Sequence, residues 1–462
     1  MKVVRIRTGG LRVIGLLLIL LPVAGGAAPG PSDASALQMP PESSPVLRVG
    51  LKEAIDRALD ANPDLKAAGH DVEAARARSD AAFGERLPAL RSLTFLTESR
   101  RDQRLFPPAS MGQPAVTSHH LFGSDMVLSV PLFTGGRLLA NQRAAESGEE
   151  AVRQGVARTR SELVFQVRRL FCAILAQREY LAALSASDAS LAAEAARIGA
   201  LVEERKAAPV DRQRVEVRIA SLRQARVSGE NALRALGLDL ARLMALEPGV
   251  VVEVEGSLEL PASLPEDPVE SLVERALASR PDVQAARTGL ETLAHLEDAA
   301  RAGHWPSLSI QGSYGLRWGI APTEQPAGSD PVADVGQVSL VLDLPLFLGG
   351  RVLAATREQT ARIAAARERL RSLQARVRVE IETALMDLRS ARERLEVASV
   401  VIRQAEAAAA AESEKHIEGK STVADVLQAQ ADLVEARANR IRALADLNTA
   451  LAELDLATGE GK

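Results

Sequence analysis

One seven-residue stretch occurs twice in this chain. Pro131-Leu132-Phe133-Thr134-Gly135-Gly136-Arg137 returns as Pro345-Leu346-Phe347-Leu348-Gly349-Gly350-Arg351, 214 positions later. Each copy follows an alternating, strand-like run and precedes more than sixty residues without proline. A glycine pair tolerates the backbone angles that turn a strand straight into a helix. Gly135, Gly136, Gly349 and Gly350 are therefore candidate strand-to-helix hinges.

The duplication extends upstream of the hinges. Arg57-Ala58-Leu59, Pro63-Asp64 and Ala67-Ala68 reappear as Arg275-Ala276-Leu277, Pro281-Asp282 and Ala285-Ala286, offset by 218, and Pro88 and Pro306 keep that offset. A period near 215 residues is far longer than a solenoid repeat, so the chain reads as two large copies, 49–249 and 268–459, joined by a linker over 250–267. Each copy starts with helical patterning. Leu51, Ala54, Ile55, Ala58 and Leu59 share a face, and Asn62-Pro63-Asp64 breaks and restarts the helix.

Strands are expected at about 89–100, 122–133, 307–318 and 337–347. Leu308, Ile310, Tyr314, Leu316 and Trp318 alternate against Ser309, Gln311, Ser313 and Arg317. Val338, Leu340, Leu342 and Leu344 alternate against Ser339 and Asp343. In the first copy Met126, Leu128 and Val130 oppose Asp125 and Ser129. In the strand at 89–100, Leu90 and Leu96 disagree in parity with Leu93 and Phe95, so its faces do not follow from its own sequence. Residues 101–121 and 319–336 read as exposed loops. Aromatics make up only 3% of the chain, yet most lie in or beside these strands. Phe133, Tyr314, Trp318 and Phe347 are candidates for an interfacial girdle on a membrane barrel. Four strands leave two open edges and too little sheet for a core, so closure requires several chains: two pool eight strands, three pool twelve.

Past each hinge the apolar residues keep heptad spacing: Val156, Leu163 and Leu170; Val167, Ile174 and Leu181; Ile363, Leu370 and Val377; Leu388, Leu395 and Ile402. With alanine filling the seams, this predicts long coiled-coil hairpins over 137–249 and 351–459. A helix over 137–205 rises on the order of 100 Å, which suits a rod or tube rather than a compact domain. The hairpins turn at Lys206-Ala207-Ala208-Pro209 and at Gly419-Lys420-Ser421-Thr422.

Lys2, Arg5, Arg7 and Arg12 precede an apolar run at 13–23 and small residues at 24–28, the layout of a secretory signal peptide over 1–28. Residues 29–48, rich in Pro, Ser and Ala, form an extended lead-in. Formal charge is −4, and about −8 without the leader, which does not favour nucleic acid. The single cysteine, Cys172, excludes an internal disulfide framework and reads as a small core residue.

Enzyme signatures are missing: there is no His-Glu-x-x-His, Gly-x-Ser-x-Gly or Gly-x-Gly-x-x-Gly, and no cofactor is expected. Gly419-Lys420-Ser421 lacks the earlier glycine of a phosphate loop, since Glu414 stands there. His119-His120 has no third ligand nearby and reads as part of a solvated loop. The hairpin tips hold more. Asp211 and Asp425, again 214 apart, each open a return helix, where the helix dipole favours a carboxylate. In an oligomer the same carboxylates would ring an opening and favour cations.

The duplicated strand–hinge–helix plan, the two Pro-Leu-Phe-x-Gly-Gly-Arg turns and the tip Gly419…Asp425-Val426-Leu427-Gln428-Ala429-Gln430 resemble the TolC-like outer-membrane efflux proteins over essentially the whole mature chain. The resemblance implies a mainly α fold with a β-barrel part. Long coiled-coil hairpins would form a periplasmic α-barrel, and four strands per chain would enter a 12-stranded transmembrane barrel of a homotrimer in outer-membrane lipid. It implies a passive exit duct in the outer membrane, working with a periplasmic adaptor and an inner-membrane pump in efflux of small molecules or type I secretion of polypeptides. A metal-efflux duct is an alternative within the family. A soluble periplasmic coiled-coil scaffold would explain the helices but not the strands. By resemblance Asp211 and Asp425 line the closed tip. The family's type has a further acidic residue where this chain has Gln428. Its tethering tyrosine and arginine align with His416 and Ser421, and the adjacent Lys420 is a candidate substitute for the lost cation.

Overall fold

A computed structural model describes residues 45–104, 116–206, 208–261, 264, 265, 267–325, 327 and 330–460. The expected signal peptide and residues 29–44 of the lead-in lie outside the described residues. The chain opens with a short strand β1 (Val46–Val49), then helices α1 (Leu51–Ala61) and α2 (Pro63–Gly84). Asn62 separates the two helices. Its Oδ1 accepts the N–H groups of Asp64 and Leu65, and Pro63 fills the first turn of α2. Strands β2 (Ala89–Arg104) and β3 (Thr117–Phe133) follow, then the long helix α3 (Arg137–Glu203) and its return α4 (Pro209–Leu243). After β4 (Val251–Val254) the order repeats: α5 (Val269–Ser279), α6 (Pro281–Arg301), β5 (Ser307–Ile320), β6 (Val332–Asp343), α7 (Arg351–Ile417) and α8 (Val423–Thr458).

β1 and β4 pair in parallel, Val46 opposite Val251 and Val49 opposite Val254. Neither strand is anticipated by the sequence, which reads 29–48 as lead-in and 250–267 as linker. Four residues carry too little periodicity to register. The pair is fixed by burial of Val49, Val252 and Val254 against Val167, Phe171 and Ile174 of α3.

The other four strands form one antiparallel sheet in the order β2-β3-β5-β6, so the two copies meet at β3 and β5. Their register sets the faces. Leu90 lies opposite Leu128, Leu96 opposite Phe122, Phe122 opposite Trp318, and Ile310 opposite Leu340, giving one apolar face. The row Ser129–Gln311–Ser339 lies on the other, polar face. Partners thus decide what β2 alone does not: Leu90 and Leu96 stand on the apolar face, Leu93 and Phe95 on the polar one. The strands also run into the stretches read as loops, because main-chain ladders do not require an alternating pattern. β6 instead stops short of the expected 347. Pro345, which has no N–H to give the ladder, follows closely.

The helices pack side by side as a layer rather than around one central core. α3 and α7, 67 residues each, run its whole length. Near the sheet, α2 packs on α3 and α6 packs between α3 and α7. Towards the far end, α4 packs on α3, and α8 packs between α3 and α7. The lateral order is α2-α3-α6-α7 near the sheet and α4-α3-α8-α7 beyond it. Burial follows this plan in clusters along the rods. Leu163, Val167 and Ile174 join one, and Val377, Leu388 and Leu395 join its counterpart with α5 and α8. Alanines such as Ala436, Ala443 and Ala450 are buried on α8, where the hairpins approach closely. No described helix is long and apolar enough to cross a membrane.

Candidate functional site

The far ends of the two hairpins are built alike from the backbone upward. At the first tip Arg205 takes a left-handed conformation, its N–H bonds to Val202 O, and the N–H of Lys206 bonds to Leu201 O. At the second, Gly419 takes that conformation, with its N–H on His416 O and that of Lys420 on Lys415 O. Both are Schellman closures, which satisfy the last carbonyls of a helix while reversing the chain. Glycine carries the second cheaply, while Arg205 strains the first by about 1–2 kcal/mol.

Each return helix then carries its acidic residue in the first turn. Asp425 forms a capping box with Thr422: the Thr422 N–H and Oγ donate to Oδ2 at 3.0 and 2.6 Å, and the Asp425 N–H bonds back to the hydroxyl. These bonds, the side-chain one foremost, hold the Asp425 carboxyl below its usual range, so it stays charged. Asp211 has Ala208 at its cap and no such box. Its Oδ1 accepts from Arg214 at 3.2 Å.

The aligned tether positions are also located. His416 is nearly buried. Its Nδ1 lies 2.8 Å from Ser421 O, and Nε2 lies 3.5 Å from Oε1 of Glu194 on α3. The imidazole thus bonds within its own hairpin through Nδ1 and turns Nε2, which has no hydrogen-bond partner among the described residues, towards Glu194 of the first hairpin. Ser421 Oγ donates to Glu412 at 2.7 Å, and the hydrogen bond from Lys415 holds that carboxyl down. Lys420 is exposed and turned onto Glu418 within its own turn, 2.7 Å away, rather than towards another hairpin. Gln428 donates to Asp432 and lines a shallow groove of about 560 Å³ between α4 and α8, with Val210, Arg214 and Val217. Glu194 is missed by sequence reasoning. No spacing signal connects it to a histidine more than two hundred residues away.

At the opposite end the hinges are Gly-Gly turns with four positive φ angles: 65° and 89° at Gly135 and Gly136, 59° and 76° at Gly349 and Gly350. Phe133 and Phe347 lie exposed beside them, while Trp318 and Phe122 meet edge-to-face near the other rim of the sheet. From Leu308 to Trp318 the strand rises roughly 33 Å, or about 25 Å once tilted, the height of a membrane barrel's apolar band. Tyr314 lies between the two ends of that stretch, and its hydroxyl donates to Asp334 on the next strand. His119 and His120 lie in β3 rather than in a loop. His119 is held by Asp102 and Ser99 O.

The family profile described as outer membrane efflux protein matches residues 54–246 and again residues 272–460. The outer membrane efflux protein BepC of Brucella suis is 26% identical over 329 residues, covering 70% of this chain and 68% of BepC. Among solved structures, a membrane protein from Pseudomonas aeruginosa superposes with a TM-score of 0.75 at 22% identity, over 88% of this chain and 92% of that one. The CmeC outer membrane channel of Campylobacter jejuni gives 0.74 at 18% identity, over 89% and 86%. Profile, relatives and fold agree with the duplicated sheet-and-hairpin plan, and the chain belongs to the outer membrane efflux proteins, the channels through which bacteria expel material across the outer membrane.

Proposed function

We propose that three copies of this chain close into one continuous exit duct, barrel above and helical tunnel below, with a gate at the hairpin tips. The supporting observation is that sheet and helix layer are open in the same way. The sheet ends on β2 and β6, and the far helix layer ends on α4 and α7. A polar sheet face opposite an apolar one fits a wet lumen inside a lipid-facing wall. Eight strands from two copies would enclose a bore that side chains fill, whereas twelve from three leave room for passage. The two repeats, 49–249 and 268–459, are the building units of this ring. Family members work with a periplasmic adaptor and an inner-membrane pump. In that setting the duct is passive and carries small molecules or polypeptides delivered from below.

At the gate, Asp211 and Asp425 supply rings of charge, and His416 faces Glu194 where the neighbouring hairpins meet. Purified in detergent, the protein should have the mass of three chains and form ion-conducting pores in planar bilayers. Asp425→Ala should reduce cation selectivity. A monomer that conducts nothing sinks the duct, and trimers indifferent to Asp425→Ala remove Asp425 from the pore ring.

A further inference from the structure

The polar face of the sheet carries a cluster that neither the hinges nor the tips explain. Phe95 of β2 lies opposite Gly123 of β3, which lies opposite Arg317 of β5. One rung away, Asp125 of β3 lies opposite Gly315 of β5. The two glycines are the spaces the others occupy. A Cβ on Gly123 would stand 2.4 Å from the Phe95 ring, and one on Gly315 would stand 2.3 Å from Asp125 Oδ1. Ring and carboxylate therefore lie flat against the wall instead of projecting from it. The Arg317 guanidinium completes the arrangement. It forks onto both Asp125 oxygens, with Nη2 2.8 Å from Oδ2 and Nη1 on Oδ1, and its Cζ lies 5.1 Å from the centre of the Phe95 ring. Asp125 is only 7% exposed.

The register shows what stands beside this pair. On the same face, the two rungs carry Leu93, Asp125 and Val335, then Phe95, Arg317 and Ala333. Within these two rungs Asp125 and Arg317 are the only charged residues, and they cancel each other; the next rung of the same face carries Arg91 of β2, opposite Val127.

We propose that this paired, flattened cluster sets the charge selectivity of the duct's membrane section by keeping three copies of two opposite charges neutral and out of the bore. The proposal rests on the trimeric duct reading. Breaking the pair frees the surviving partner into water, so each single variant would place three like charges around the lumen. Such a ring biases permeation by its sign.

Reversal potentials of the trimer in planar bilayers under a KCl gradient test this. Asp125→Asn should shift selectivity towards anions and Arg317→Gln towards cations, and the double variant should return near the parent. Channels unmoved by both single variants, or shifted by both in one direction, overturn the proposal. If either variant fails to assemble, the intact pair is probed from its own rung. In a Cys172→Ser background, Val335→Cys is modified with a positively or a negatively charged methanethiosulfonate reagent. Opposite shifts support a lumen-facing rung, and equal or absent shifts overturn it. A parent protein that forms no pore at all refutes the duct reading itself, an outcome distinct from an unselective pore.

Discussion

Asn62 and Arg280 occupy matching positions in the two copies and solve one problem with different chemistry. Each sits between two short helices and reaches the last turn of a return helix. Asn62 Nδ2 donates to Leu243 O at 3.0 Å, and Arg280 Nη1 donates to Ala457 O at the same distance, those carbonyls being 214 residues apart. Asn62 also caps its own helix. In the second copy no side chain among the described residues caps α6; Asp282 Oδ1, in its first turn, accepts the N–H of Val283, while Arg280, 1% exposed, pairs with Asp282 and Glu380 at 2.7 Å each. Burial pushes the Asp282 carboxyl up, but the hydrogen bonds and charge of Arg280 outweigh it and leave that carboxyl below its usual range. Because the folded value is depressed, the stabilisation is complete above the unfolded value near ~4 and fades as pH falls through the folded one. Arg280→Ala strands two carboxylates in a partly buried site and should destabilise by roughly 2–4 kcal/mol. Asn62→Ala loses a cap and leaves one buried carbonyl unpaired, about 1–2 kcal/mol. Thermal unfolding followed by circular dichroism should give Arg280→Ala the lower midpoint at neutral pH, with the gap between the two variants closing in acid.

At the scale of elements, the hinges show what a repeated motif hides. Both are turns with two left-handed residues, closed by Arg137 N–H on Thr134 O and by Arg351 N–H on Leu348 O. The backbone demand is the same, but the surroundings differ. A Cβ on Gly135 would stand 2.7 Å from Trp305 Cβ and 2.8 Å from Ala302 O, whereas one on Gly349 meets open space. Alanine at either position strains the turn by about 1–2 kcal/mol. Only Gly135→Ala also forces the hinge away from the Ala302–Trp305 segment that follows α6 in the second copy, so it should lower the yield of folded protein in the membrane fraction far more than Gly349→Ala. Equal yields would mean that the Trp305 contact does not hold the hinge. The turns themselves were legible because Gly-Gly after an alternating run has few other uses, and the long helices because heptads persist over many turns. The faces of β2 were not legible. Leu93 and Phe95 sit on the polar side, and Phe95 is accommodated by a missing side chain on a neighbouring strand, which no property of β2 reveals. The His416–Glu194 contact was hidden for the same reason. Its members lie on different hairpins, and what joins them is the packing of α7 and α8 beside α3.

For the molecule as a whole, the unpartnered surfaces lie where an incomplete ring would leave them. α7 ends the helix layer and carries Val379, Met386 and Val397, spaced seven and eleven residues apart and so on one helical face, all mostly exposed. α4 ends the other side and exposes Val227 and Leu238. Val397 is 63% exposed and Leu238 65%, although Leu395 and Leu240, two residues away on the same helices, are buried. Burying such a side chain is worth about 1.5–3 kcal/mol, so a few on each edge, multiplied over three seams, provide a strong drive towards closure. The strand edges add main-chain pairing between β6 of one copy and β2 of the next. Closure of the helix layer can be attacked without touching either the gate or the barrel lumen. Val397→Glu on α7 or Leu238→Glu on α4 places a carboxylate in the proposed seam, where a charge must be desolvated without a partner. Each variant should keep the helical circular dichroism of the parent but run in detergent as a lighter species than three chains, with pore formation lost. A variant that stays trimeric and conducts normally would place that residue on the outer wall, and the seam would then have to run along another face of the same helix.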